Sequence, residues 1–254
     1  MNYEKLLQGI LDIGEEMLVA GAEVNRVEDS IMRMCEAYLC DRVNVFIITS
    51  NIQVTLQTPE GDIITQIRRV ARNDANFDRV DYLNDLSRYI CVNKPDVDEL
   101  RKKFEQVMNR KDYPSWVNYL GSALIAGAFT VFFGGLIRDG IAAVIVGSFI
   151  IFANRLLVNQ ENNQLVRVFT VSFLSGLLSL LLVFVGIGQN SDKIMIGAIM
   201  LLIPGIAMTN AIRDMLVGDL GAGLLRLVNS VLIAGSIAAG FALAILVTGG
   251  GALW

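Results

Sequence analysis

Ser115–Ile137, SWVNYLGSALIAGAFTVFFGGLI, contains no charged residue. A helix needs about 20 mainly apolar residues, at 1.5 Å each, to cross a hydrocarbon core roughly 30 Å thick, so this stretch reads as a membrane span. Four more follow. Ile141–Val158 carries only Arg155 near its end, Val168–Gln189 and Ile194–Ile212 are free of charge, and Leu224–Thr248 has Arg226 one turn inside its start. Short polar punctuation separates them: Arg138-Asp139-Gly140, Asn159 to Arg167, Gly188 to Lys193 and Arg213 to Gly223. An odd count of five spans hints at half of a larger assembly.

Outward from these spans the composition changes abruptly. Residues 1–114 hold 15 of the 21 Lys+Arg and 20 of the 25 Asp+Glu in the 254-residue chain. The expected organisation is a cytoplasmic α+β domain over 1–114, followed by an all-α polytopic membrane domain over 115–254 with five transmembrane helices, at about 115–137, 141–158, 168–189, 194–212 and 224–248. Met1–Ala20 is charged and amphipathic, unlike a cleavable signal peptide. Lys and Arg cluster on the side of Arg110, Lys111, Arg155, Arg167, Arg213 and Arg226, against Arg138 and Lys193 opposite. The positive-inside rule then puts the N-terminus in the cytoplasm and Trp254 outside.

Composition also excludes chemistries. The chain has no histidine, so no Ser-His-Asp or Cys-His nucleophile and no imidazole metal site can be built. Cys35, Cys40 and Cys91 form no CxxC pair and read as buried thiols of a reducing compartment. There is no GxxxxGK[ST] and no basic stripe, which argues against nucleotide hydrolysis and nucleic-acid binding. No catalytic residue, cofactor or metal site is expected; Asp74, Asp78, Asp81 and Asp85 read as a solvated helix face rather than a cation site.

Within residues 1–114, Leu6, Leu7, Ile10, Ile13, Met17 and Leu18 recur at helical spacing, Gly21 punctuates, and a second helix is expected over Ala22–Leu39. On it Glu23, Arg26, Asp29 and Arg33 make an alternating-charge stripe, able to pair with itself or with a partner. Val43–Thr49, Ile52–Thr58 and Ile63–Val70 predict an antiparallel meander, with turns at Asn51 and Pro59–Asp62. Helices near Asp78–Ile90 and Val97–Asn109 complete it.

The fourth span holds the residues that most need explaining, Pro204-Gly205 through Thr209-Asn210-Ala211-Ile212-Arg213-Asp214. Pro204 lacks an N–H and breaks the helix, ten residues past Ile194 and so about 15 Å deep, near the bilayer midplane. Broken helices at that depth offer backbone amides to an anionic group. Thr209 and Asn210 add hydrogen-bonding side chains, and Asn210, Arg213, Arg226 and Asn229 can converge on a vestibule facing the cytoplasm. The candidate substrate-binding set is Pro204, Gly205, Thr209, Asn210, Arg213, Asp214, Arg226 and Asn229. Coupling or gating candidates are Asp139, Asp219, Glu23 and Arg26, although a turn salt bridge with Arg138 is the plainer role for Asp139. Asn118, Ser122 and Thr130, and Ser172, Ser175, Gly176 and Ser179, read first as helix-packing stripes.

These residues also carry a resemblance. Gly21-Ala22-Glu23-Val24-Asn25-Arg26-Val27-Glu28-Asp29, Gly134-Gly135 before Asp139, and Pro204-Gly205 through Asp214 with Gly218-Asp219, Gly223 and Arg226 resemble the signatures of the threonine/serine exporter family. That resemblance implies a bacterial inner-membrane secondary exporter of small amino acids or, in some members, C4 dicarboxylates such as succinate. It implies the larger subunit of the split form, working with a small membrane protein that supplies the second half of the transporter. The substrate expected from it is a C4 dicarboxylate first and threonine or serine next, and a higher oligomer is allowed for. The competing reading is a membrane-anchored sensor or scaffold whose cytoplasmic domain carries the function. An anchor, however, needs no broken helix and no intramembrane Asn or Arg, the latter costing about 2.5–3.5 kcal/mol at a helix centre.

Overall fold

A computed structural model describes residues 2–71, 75–111, 113–158, 160–161 and 163–249. Four helices and a sheet come first: α1 (Tyr3–Val19), α2 (Val24–Ala37), β1 (Asp41–Ile48), β2 (Asn51–Gln57), β3 (Ile63–Arg69), α3 (Phe77–Asn93) and α4 (Val97–Met108). Six helices follow: α5 (Ser115–Phe132), α6 (Ile137–Leu157), α7 (Gln164–Phe184), α8 (Ser191–Leu202), α9 (Gly205–Val217) and α10 (Leu220–Val247). The chain is mostly helical with one three-stranded sheet. Among the described residues four helices, α5, α6, α7 and α10, are long and apolar enough to cross a membrane, and there are up to five candidates if α8 and α9 count as one broken span.

The chain divides into two compact units, the first made of Met1–Lys111 with Ile206–Leu227 and the second of Asp112–Gly205 with Val228–Trp254. In the first, local sequence sets the helix starts: the side chains of Asn2, Asn76 and Asp96 accept from the N–H groups of Lys5, Arg79 and Glu99, satisfying amides that open a helix. Strands run in the order β1-β2-β3, antiparallel throughout, with Val54 opposite both Val45 and Gln66. Alternation puts Ile52, Val54 and Leu56 on the inner face. There they join Leu7, Ile10, Met17, Ile31, Met34, Leu83 and Ile90 in a core of large side chains that also takes in Ala222, from the first turn of α10. The meander thus matches the pattern expected from sequence, except that the first turn sits before Asn51, which opens β2.

The second unit is packed with small residues. A Cβ at Gly147 would sit 2.9 Å from both Ala126 Cβ and the Ser122 carbonyl, and one at Gly240 would fall 2.6 Å from the Phe169 carbonyl, so backbones approach closely there. The Ser122 and Thr130 hydroxyls donate to Tyr119 and Ala126 carbonyls in their own helix, and Ser179 donates to Ser175. This is the geometry of helix packing in an apolar medium, and it fits the packing role read for these stripes. Helix limits differ from the sequence-drawn spans where backbone chemistry intervenes. α5 stops at Phe132, before Gly134 takes φ of 91°, a conformation open to glycine at little cost. α6 already starts at Ile137, and α7 at Gln164, where the Asn163 side chain accepts from Leu165 N–H. α8 ends where Ile203 turns to ψ 127° ahead of Pro204, the break expected from a residue that cannot continue the ladder.

Candidate functional site

The functional candidates gather, within the first unit, at the turn between α1 and α2. Gly21 has φ of 96°, which lets the chain reverse and brings Ala22, Glu23 and Val24 to the start of α2. Glu23 is the N-cap residue of α2, yet its side chain makes no capping hydrogen bond. It reaches instead to α9, where Arg213 Nη1 donates to Glu23 Oε1 at 2.5 Å. The Arg213 side chain remains 62% exposed. Arg226 on α10 reaches the same turn: Nη1 is 3.4 Å from Asp214 Oδ2, and Nη2 donates to the Ala22 carbonyl at 3.5 Å.

Asp214 is 1% exposed. The Val24 N–H at the start of α2 is turned toward it, and the Asp219 and Glu23 carboxylates lie near enough to repel it. Neither of its oxygens completes a hydrogen bond with a described donor. Asp219, on the turn between α9 and α10, also acts on Glu28, whose carboxyl is pushed above the ordinary range by burial first and by Asp219 second. The site therefore contains two guanidinium groups, each matched to a carboxylate, with Asp219 and Glu28 beside them.

The structure brings together Glu23, Arg213, Asp214, Asp219 and Arg226 from the candidate set. Asn210 is half-buried and Thr209 exposed, one turn earlier on α9. Arg26 is exposed on α2, and the charge stripe it belongs to splits: Arg33 pairs with Asp29 on its own helix, and Glu23 pairs across to α9. Pro204, Gly205, Asp139 and Asn229 belong to the second unit. Sequence reading missed Glu28 as a member, although it lies in the quoted Gly21–Asp29 stretch.

The residues 8–248 match the family described as "Putative threonine/serine exporter". This chain belongs to the threonine/serine exporter family. Among curated relatives it is 24% identical to the "Probable succinate transporter subunit YjjP" of Klebsiella aerogenes, over 83% of this chain and 81% of that protein. It is also 24% identical to the protein of the same name from Escherichia coli K12, over 94% and 93% respectively. No solved structure matches the chain. Membership of an exporter family, together with the apolar helices, makes this a multi-pass membrane transport protein.

In this exporter-family chain Asp139 has a different setting from the one its neighbour suggests. It makes no ion pair with Arg138; that expectation is corrected by the geometry. Its Oδ1 accepts from the N–H groups of Gln189 (2.6 Å) and Asn190 (2.9 Å), and its Oδ2 accepts from Leu136 N–H (2.9 Å) and Asn190 Nδ2 (2.8 Å). The reason is local: as the third residue of the helix, Asp139 faces its free amides, and the loop before α8 supplies more. Burial pushes the Cys35 thiol up to about 12, which leaves it inert as a nucleophile. Asp85 pairs with Arg88 and Arg79 with Glu16, and Asp74 lies outside the described residues. Among the described residues no three His, Cys, Asp or Glu side chains are grouped to hold a metal ion.

Proposed function

We propose that this chain is one subunit of an inner-membrane secondary exporter of small carboxylate metabolites, working with a small membrane protein that supplies the other half. The observation that carries the reading is the convergence of Arg213, Arg226, Asp214 and Glu23 at the α1–α2 turn. A plain anchor has no use for such a cluster. Residues 1–114 form the cytoplasmic part and 115–254 the five-span membrane part, with the N-terminus in the cytoplasm and the C-terminus in the periplasm. Substrate enters from the cytoplasmic side past Arg213 and Arg226. Thr209 and Asn210 add polar contacts, and Pro204, Gly205 and Asn229 stay as the further substrate-binding candidates of the sequence. Glu23 with Arg213 acts as the gate, with Arg26, Asp219 and Asp139 as further candidates for gating or coupling.

A C4 dicarboxylate is the favoured substrate, supported by the names of the two relatives and their word "subunit". The paired state of both arginines favours a second reading, threonine or serine. A zwitterion exchanges partners with an existing ion pair and leaves its charge balance unchanged, whereas a dicarboxylate adds two negative charges.

Proteoliposomes containing this chain and its membrane partner, loaded with unlabelled succinate or L-threonine, test both readings. Counterflow of labelled succinate, lost without the partner, is the expected result. Counterflow of threonine alone selects the zwitterion reading, and counterflow of neither compound by correctly folded protein overturns the exporter assignment.

A further inference from the structure

Asp214 is the one fully buried carboxylate at the site whose charge is poorly compensated. It is 1% exposed, has one ion pair at 3.4 Å and completes no hydrogen bond with a described donor. A carboxylate taken out of water normally gathers several short, charge-assisted donors, and Asp139 in the same chain does so with four. The charged groups facing Asp214 come from every side. Arg226 on α10 attracts it, Asp219 on the following turn and Glu23 before α2 repel it, and the Val24 N–H is turned toward it. Arg213, on its own helix, is taken up by Glu23. A buried acid so arranged gives up little when it takes a proton.

We propose that Asp214 is a proton-binding site of the transporter, and that its protonation frees Arg226 to receive a substrate carboxylate. The inference rests on the exporter reading above for what Arg226 receives. The charges balance in both states. Arg226 with ionised Asp214 is neutral; protonated Asp214, Arg226 and a bound carboxylate are neutral as well. The proton comes from solvent onto a carboxylate oxygen, the Arg226–Asp214 ion pair breaks, and a substrate–Arg226 pair replaces it, so each carboxylate bound at this arginine carries one proton with it. Freed from Asp214, Arg226 still has the Ala22 carbonyl as a partner, so it is held at the mouth of the site.

Two measurements on the full chain with its partner test this separately from the transport reading. The first needs no substrate. Infrared difference spectra recorded as pH is lowered should show a C=O stretching band, the mark of a protonated carboxyl group, and Asp214→Asn should lack that component. Absence of that component in the wild type, or its persistence in the variant, overturns the proton site whatever the protein transports. The second uses succinate and L-threonine as probes. Affinity of the compound that binds should rise about tenfold per pH unit of acidification, as linkage to one proton requires. Asp214→Asn should flatten that slope and Asp214→Glu should keep it. An unchanged slope in Asp214→Asn overturns the proposal. Binding of neither probe, with the infrared band present, overturns the exporter reading and leaves the proton site standing.

Discussion

Two aspartates in this chain are equally hidden from solvent and chemically opposite. Asp139, at the start of α6, is surrounded by four donors from Leu136, Gln189 and Asn190. Asp214, on α9, meets one guanidinium at 3.4 Å and two repelling carboxylates. The first ties the α5–α6 hairpin to the loop that opens α8, and its charge is an asset to folding because every lone pair is used. The second holds its charge against its surroundings. Burial alone therefore does not tell how well a carboxylate's charge is met; the number of donors does.

Asparagine at each position probes this contrast with the smallest change of shape. At Asp139 it turns an NH2 group toward N–H donors and strips the charge that holds them. We expect a loss of roughly 3 kcal/mol or more, since each buried group left unsatisfied costs about 1–3 kcal/mol. Thermal unfolding in detergent reads it directly. At Asp214 the same replacement removes a poorly solvated charge but also the carboxylate of Arg226, and should cost about 1–3 kcal/mol. Equal losses, or the reverse order, would erase the distinction drawn between the two sites. The smallest effect on stability is expected at Arg213. Its side chain is largely exposed, so Arg213→Gln should lie within about 1 kcal/mol of wild type while abolishing counterflow, as should Asn210→Ala. Full transport by both variants at normal membrane levels would remove them from the site.

Much of this was legible in the residues themselves. Period-2 alternation in Ile52–Leu56 and helical spacing in Leu6–Met17 report burial on one face, and burial is a local property of each element. Pro204 announces its own break because a missing N–H needs no distant partner to act. What the residues do not carry is which charges meet. Asp139 stands beside Arg138 in sequence, yet its partners lie at Gln189 and Asn190. Arg213 and Arg226 read as two cations of one vestibule with Asn210 and Asn229, yet each is held by a carboxylate from another element, and Glu23 is 190 residues from Arg213. Periodicity says which way a side chain faces and nothing about what stands opposite.

The arrangement at α2 has a consequence for how the chain is made. Glu23 occupies the position from which a side chain normally closes the first turn of a helix, but it reaches away to Arg213, and the Val24 amide turns to Asp214 instead. Those two residues leave the ribosome about 190 residues later, roughly 10–40 s at about 5–20 residues per second. Throughout that interval the end of α2 waits unfinished, and the α1–α2 turn reaches its final form only after most of the membrane helices have been synthesised.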